Sequence, residues 1–583
     1  MNKPFRLFKR NTIIKTLIRV LLYFSFLNAS RATDFIRNFD LSSTTTLDPS
    51  TTGFTILGAR SGSYLGDSLE TAGDINKDGY DDLLVGASSI GEAYVIYGGP
   101  TSSLSNMDLS TLTPTAGFKM SLSPANDYFG LKLSSAGDIN KDGYDDFIVG
   151  APRAKNAIGI VFVIYGGPKS SLSNMNFDLQ TLDPATTGFT LKGAGTWGYL
   201  GWISKGIGDI NKDGYDDILF TGSGKVYVMY GGPTSSFSNF DSSSQTLDPA
   251  TTGFTISGVG IVDGGSADAV GDVNKDGYAD FAFAIDARKT IYVIFGGGKS
   301  SFPNLIFGNT PPDPVFSGFK ISVPSSKLTV SGAGDVNGDG YDDIIIGASD
   351  LNNKKGGAYV IYGGPMSSLK DIDLSSQTLD PAKTGFTISG STTGDDLVEW
   401  EWVRRVGDVN KDGYSDISSM SRKRATTYII YGGPKSSRAN IDLSSAALDP
   451  QTTGFIIRNI EGIARTGGDI NGDGYADVLV AHSQKQGTKG VAYVIHSGTL
   501  FSHTTVNSYI VCVHTNTCPL PMSVCPSCGK GGTPNPLCAN CPSNCQQYEN
   551  DLSCEICKKG YFLSKGPLGG RCEGTKVHKF YLS

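Results

Sequence analysis

Seven times along this chain, Asp, Asn, Asp and Asp fall at positions 1, 3, 5 and 9 of a nine-residue run that has glycine at position 6. The copies read DINKDGYDD at 74, 138 and 209, DVNKDGYAD at 272, DVNGDGYDD at 335, DVNKDGYSD at 408 and DINGDGYAD at 469. Three carboxylates and one amide offer hard oxygens, position 7 can add its backbone carbonyl, and the glycine permits a sharp turn. An all-oxygen donor set without His or Cys suits Ca²⁺ rather than a transition metal. The expected ligands are Asp74, Asn76, Asp78, Tyr80 and Asp82 in the first copy, and Asp138, Asn140, Asp142, Tyr144 and Asp146 in the second. The third and fourth supply Asp209, Asn211, Asp213, Tyr215, Asp217 and Asp272, Asn274, Asp276, Tyr278, Asp280. The last three supply Asp335, Asn337, Asp339, Tyr341, Asp343; Asp408, Asn410, Asp412, Tyr414, Asp416; and Asp469, Asn471, Asp473, Tyr475, Asp477.

An EF-hand would need Glu at position 12 between two helices, but that position is Val85 in the first copy and Val149 in the second, inside apolar runs. The bland alternative is an Asx-rich turn with no ion, since Asp, Asn and Gly favour turns in any case. Repetition and charge favour the metal. The first 32 residues hold seven Lys or Arg and no acid, so without them the net charge of −7 becomes −14, which seven Ca²⁺ would cancel. The expectation is up to seven structural Ca²⁺ ions that stabilise the folded chain.

The loops recur 64, 71, 63, 63, 73 and 61 residues apart, and repeats of this kind govern the fold. Each loop is followed by an apolar run (LLVGA from Leu83, FIVGA from Phe147), then by a second that ends in a turn (YVIYGGP at 94, FVIYGGP at 162). A Ser-rich connection leads to a third run of the form TGFTISG, and a fourth precedes the next loop. Four short runs per unit, rich in β-branched and aromatic residues and bounded by Gly and Pro, are strands. Seven such units predict an all-β, seven-bladed β-propeller, with a linear solenoid as the alternative. The ends favour the ring: TGFTILG at 52–58 is an orphan fourth strand, and the seventh unit stops after its third strand, AYVIHSG at 492–498. Together they complete one blade and remove an exposed sheet edge.

Residues 1–32 combine a basic start, an apolar stretch ending in VLLYFSFL and small residues near Ser30 and Ala32, the pattern of a secretory signal peptide. Lys15 and Arg19 interrupt the apolar run, and no later stretch is long enough to span a bilayer. The expected organisation is signal peptide 1–32, propeller 33–499, linker 500–511 and a Cys-rich module at 512–575. All ten Cys lie between Cys512 and Cys572. In a secreted chain they imply a small disulfide-rich domain, although the CxxC pairs could also bind zinc. The acidic balance argues against nucleic acid as a partner. An N-glycosylation sequon occurs only at Asn28, within the signal.

Units such as Phe129-Gly130, GDINKDGYDD and Gly150-Ala151-Pro152 resemble the FG-GAP repeats of the integrin alpha-subunit propeller. The resemblance covers about residues 38–498 and implies a propeller used in extracellular cell adhesion or ligand recognition. The Phe-Gly element persists only as Leu65-Gly66, Phe129-Gly130 and Leu200-Gly201, and Gly-Ala-Pro gives way to Ser418-Ser419-Met420 in the sixth unit. Integrin alpha propellers usually carry calcium loops in only some blades, whereas all seven look competent here. Stalk domains, a membrane span and a cytoplasmic tail are missing, so a complete integrin alpha subunit is not expected. The spacing of the Cys-rich tail is similar to growth-factor-receptor and furin-like repeats.

If the acidic loops join first and second strands, the opposite face carries Arg153, Lys155, Lys354, Lys355, Arg422, Lys423, Arg424, Lys485 and Lys489, with Trp197, Trp202, Trp400 and Trp402 nearby. Such a face would suit an acidic protein segment or a glycan; the plainer reading is solvated loop tips and packed Trp. The five His (His482, His496, His503, His514, His578) all lie late in the chain, and no nucleophile elbow occurs. A non-enzymatic recognition module is therefore expected. The alternatives are an extracellular hydrolase working through carboxylates and a structural surface-coat or matrix protein.

Overall fold

The computed structural model describes residues 38–41, 47–260, 265–307, 317–351, 355–390, 397, 403–421, 423–444, 448–460, 462, 464–483 and 489–498, together with four strands between 545 and 573. The signal peptide, most of the Cys-rich module, Lys354, Trp400, Trp402, Arg422 and Lys485 lie outside the described residues. Two units are distinguished, up to His503 and from Thr504 onward. In the second, Cys545–Glu549 pairs antiparallel with Ser553–Cys557, and Phe562–Gly566 with Gly569–Glu573.

The first unit is a ring of seven sheets, as the repeat predicts. In blade 1 the antiparallel strands are Leu69–Gly73, Asp82–Ala87, Glu92–Ile96 and Gly117–Ser121. The same four-strand order recurs in every blade. First strands of neighbouring blades adjoin one another all the way round, which places them innermost. Second strands such as Asp82–Ala87 and Asp146–Ala151 are buried at every residue, because both faces are covered by adjoining blades. Fourth strands alternate, as in Gly53–Leu57, since one face looks outward. The core is correspondingly divided: Ala72, Ile75 and Leu84 of blade 1 pack with Phe147 and Val149 of blade 2, and equivalent clusters fill the other joints.

Closure follows the expected route. Gly53–Leu57 pairs antiparallel with Val491–Ile495 and completes blade 7, placing Phe54 and Ile56 in the joint with blade 1 at 0% exposure. Gly53 at φ +122° turns the chain into the strand, where a Cβ would overlap the Val494 carbonyl. The N-terminal segment does more than the sequence suggests, because Asn38–Asp40 also pairs in parallel with Gly454–Arg458 of blade 6.

That pairing belongs to a second feature the four-run repeat does not reveal. Each blade has a fifth, two- or three-residue strand in parallel on its fourth strand. Met107–Asp108, from the Ser-rich connection of blade 1, lies on Gly53–Leu57 of blade 7, and Met175–Asn176 of blade 2 lies on Gly117–Ser121 of blade 1. An Asn just before the short strand anchors it: the Thr55, Lys119 and Thr190 N–H groups donate to Asn106, Asn174 and Asn239 Oδ1 at 2.7–2.8 Å. These straps cover otherwise open strand edges and bind each blade to the next.

Candidate metal loops and the facing surface

All seven acidic runs join the first and second strands of their blades and therefore lie at one end of the ring. Position 4 sits in the left-handed region, at φ +60° for Lys77 and +59° for Lys141, and glycine replaces the lysine there in loops 5 and 7 (Gly338, Gly472). The turn is held by the carboxylate at position 1. In the first loop Asp74 Oδ1 accepts the Asp78 N–H at 3.0 Å and Oδ2 accepts that of Gly79 at 2.8 Å, and Asp138 and Asp209 repeat the pattern. Position 5 accepts the position-7 N–H, as Asp142 does from Tyr144 at 3.0 Å.

Position 9 is the buried ligand. Asp82, Asp146, Asp217, Asp280, Asp343, Asp416 and Asp477 are all 0% exposed. Asp82 accepts the Gly98 N–H on one oxygen and the Asn76 side-chain amide on the other, both at 2.8 Å. Burial, reinforced by the carboxylates at positions 1 and 5, pushes Asp82, Asp280 and Asp416 up to about 8 and Asp146 to about 9; Asp217, Asp343 and Asp477 are likewise driven well up. A buried carboxylate in this state lacks a counter-charge.

Four of the seven loops meet a test for a bound cation: Asn76, Asn140, Asn211 and Asn337 are at most 7% exposed, and in each the side-chain Oδ1 is buried without a hydrogen-bond partner. In loops 4, 6 and 7 the Oδ1 of Asn274, Asn410 and Asn471 instead accepts the position-5 N–H at 2.8–3.0 Å. A buried orphan acceptor is costly unless something electropositive meets it. Among the described residues no group of three or more His, Cys, Asp or Glu side chains is arranged to hold a metal ion by itself. The donor set that fits Ca²⁺ is thus mixed: carboxylates at 1, 5 and 9, the amide at 3 and the carbonyl at 7.

Position 8 escaped the sequence reading and has a separate task. Asp145 of loop 2 accepts the Asp74 N–H of loop 1 on its side chain at 2.8 Å, while its own N–H donates to the Asp74 carbonyl at 3.3 Å. Asp216, Asp342 and Asp81 clip loops 2, 4 and 7 in the same way, the last across the ring closure. Where position 8 is Ala279, Ser415 or Ala476, only the backbone bond remains. The lysines at position 4 add a second link, Lys77 lying 5.7 Å from the Tyr144 ring centre and Lys141 5.4 Å from that of Tyr215. The seven loops form one hydrogen-bonded circle.

Deeper along the axis, the residue four before position 1 of each loop projects from the first strand. The seven are Glu70, Ser134, Lys205, Asp268, Ser331, Arg404 and Arg465. Glu70 pairs with Lys205 at 3.1 Å and with Arg465, joining blades 1, 3 and 7. Asp268 pairs with Arg404 and accepts from Ser331 Oγ at 2.9 Å, joining blades 4, 6 and 5.

At the other end of the ring, the structure separates the two described Trp. Trp202 packs on the blade 3–4 core, as the plainer reading has it, whereas Trp197 is 71% exposed. Trp197 lies 5.9 Å from the Tyr199 ring, and Tyr199 6.1 Å from Trp202. Alongside, the Arg153 guanidinium covers the Tyr128 ring at 4.5 Å. Lys155, Asn156 and Ala157 are consecutive left-handed residues, joined by Tyr128, Trp197 and Tyr199, and the Tyr199 N–H donates to the Ala157 carbonyl at 2.9 Å. Strained backbone of this kind concentrates where a surface is shaped for contact. Lys489, by contrast, is engaged with Asp108 at 3.4 Å. His496 is buried against Phe54, 5.9 Å between rings, and burial lowers its pKa.

Comparison with known proteins agrees with this architecture. The FG-GAP repeat model matches residues 66–96, 129–164 and 329–361, within blades 1, 2 and 5. Integrin alpha-PS2 of Drosophila melanogaster is 33% identical over 161 residues, which are 24% of this chain and 11% of that protein. Integrin alpha-V of Gallus gallus is 27% identical over 234 residues (38% and 20%), and integrin alpha-5 of Xenopus laevis 25% over 291 (46% and 24%). The matches span between about a tenth and a quarter of these relatives' lengths. The chain carries FG-GAP repeats in an integrin-alpha-like propeller. No described helix is long and apolar enough to cross a membrane.

Proposed function

We propose that this chain acts outside the cell as a calcium-binding, non-enzymatic propeller that recognises a protein or glycan ligand in adhesion, with Ca²⁺ structural rather than catalytic. The oxygens at positions 1, 3, 5, 7 and 9 of each loop would hold the ion, which supplies positive charge to the buried position-9 carboxylates. The chain's own groups do the rest: the clips between loops fix the blades relative to one another and so hold the opposite face in shape. The observation that carries the recognition reading is Trp197, a large aromatic side chain exposed among Tyr199, Tyr128, Arg153 and Lys155 on shaped backbone. An aromatic surface flanked by cations offers stacking to a sugar ring or a site for an acidic peptide. The integrin alpha relatives agree with the same use.

The test is binding of the purified chain to cells and to a glycan array, with Trp197→Ala and Arg153→Glu as variants. Removal of a central aromatic or cationic contact is expected to weaken binding about tenfold or more, since such anchors contribute roughly 2 kcal/mol. The melting temperature should stay unchanged, because Trp197 is exposed. Binding that survives both substitutions would refute this surface as the recognition site.

A further inference from the structure

The seven loops are not equivalent, and the difference comes from the blade that follows each. In the turns after the third strands, YGGP in blades 2 and 6 and FGGG in blade 4, the next residue is Lys169 in blade 2, Lys299 in blade 4 and Lys435 in blade 6. Each reaches back to the preceding loop and meets its position-5 carboxylate. Lys169 Nζ lies 2.6 Å from Asp78 Oδ2, Lys299 2.9 Å from Asp213 Oδ2, and Lys435 2.6 Å from Asp339 Oδ2. The ammonium also lies over a tyrosine ring of the same preceding blade: Tyr97 at 4.6 Å, Tyr230 at 5.0 Å and Tyr362 at 4.8 Å.

Loops 1, 3 and 5 therefore have a resident cation on a candidate ligand. The second oxygen of that carboxylate accepts the N–H of Tyr80, Tyr215 or Tyr341 at 3.1–3.2 Å, a bond that position 5 makes in every loop, so the lysine alone sets these three apart. The equivalent residue is Thr101 for loop 7, Thr234 for loop 2 and Met366 for loop 4; for loop 6 the sequence has Leu500. Among the described residues, Asp142, Asp276, Asp412 and Asp473 make no ion pair. Arg438, near loop 6, donates to the Tyr431 and Gly433 carbonyls. The 93–95% buried Asn76, Asn211 and Asn337 oxygens stay without a hydrogen-bond partner beside the lysine, as does that of Asn140 in loop 2, whereas those of Asn274, Asn410 and Asn471 accept the position-5 N–H, a bond an incoming ion must share.

Resting on the calcium reading above, we propose that the loops form two classes. Loops 2, 4, 6 and 7 are the tight Ca²⁺ sites. Loops 1, 3 and 5 are weaker, because the ion must displace a lysine from Asp78, Asp213 or Asp339 or share the carboxylate with it. Ligand charge tunes calcium affinity over decades, down to the 10⁻⁴–10⁻³ M range of extracellular modules. The lysines are 29–41% exposed and can swing into solvent when displaced. The weaker sites then fill and empty with ambient calcium while the tight ones remain occupied.

The test is calorimetric titration of the calcium-stripped full chain with CaCl₂. Wild type is expected to show four tight sites and three at least about tenfold weaker. In K169M/K299M/K435M the weak class should merge with the tight one, and K299M alone should move one site, which guards against misfolding of the triple variant. A single class in wild type, or an unchanged 4:3 split in both variants, would overturn the two-class proposal while leaving calcium binding intact. No calcium uptake at all would overturn the parent reading with it.

Discussion

Glu70→Gln is expected to cost about 3–5 kcal/mol of stability, the range found when one partner is removed from a buried ion pair. The side chain is 15% exposed at the axis of the ring, and its carboxylate is shared by Lys205 and Arg465. The axial layer holds three cations and two carboxylates, so the substitution leaves two buried cations without their anion. Gln is nearly isosteric, and little of the loss would come from a cavity. Acid should reproduce the effect. Burial alone would raise the Glu70 carboxyl, but Arg465, Lys205 and Arg404 overcome it and hold it at about 2, below the ordinary 4.5. A lowered folded pKa means that this contribution is complete above about pH 4.5 and is lost as pH falls toward 2. Chemical denaturation of the variant at neutral pH measures it; an unchanged midpoint would show that the layer adds no stability.

Phe54→Ala should have a comparable effect, about 3–5 kcal/mol for a fully buried phenylalanine. The consequence would differ from that of the equivalent Phe254, whose strand is flanked in sequence by its own blade. Phe54 anchors the strand that completes blade 7 from the other end of the chain, between Leu479 and Val494 on one side and Leu83 and Val85 on the other. Weakening it releases the N-terminal segment, and with it the Asn38–Asp40 strap on blade 6. The expected result is rapid proteolysis near residue 50 while the remaining blades stay protected. A loss below about 1 kcal/mol without new cleavage would mean that the ring closes by other contacts.

Local pattern made most of the fold legible. The repeat length, the alternating runs and the two orphan strands identify seven blades and the closure, because each depends on residues close in sequence. The position of every acidic loop followed from the same pattern. What stayed hidden depends on partners far along the chain. Glu70 and Arg465 are 395 residues apart, and nothing near either one indicates that they meet. Asp145 at position 8 looked like part of its own loop but serves the preceding one. The signal that could have exposed this was in view: position 8 varies among Asp, Ala and Ser while positions 1, 3, 5 and 9 do not. The lysines that follow the third-strand turns of alternate blades were equally visible as residues, but their target became apparent only when neighbouring blades were in place. On the opposite face, sequence alone could not separate exposed Trp197 from packed Trp202.

The most direct test of the account is the melting temperature of the full chain in millimolar CaCl₂, in matched MgCl₂ and in excess EGTA. Ions that bind only the folded ring stabilise it by roughly 2.7 kcal/mol per site at a hundredfold excess over Kd, so several filled loops should raise the transition by about 10 °C. Magnesium, which demands tighter octahedral geometry, should restore little of that shift. The same melting temperature in calcium and in EGTA would contradict the claim that these loops are calcium fastenings.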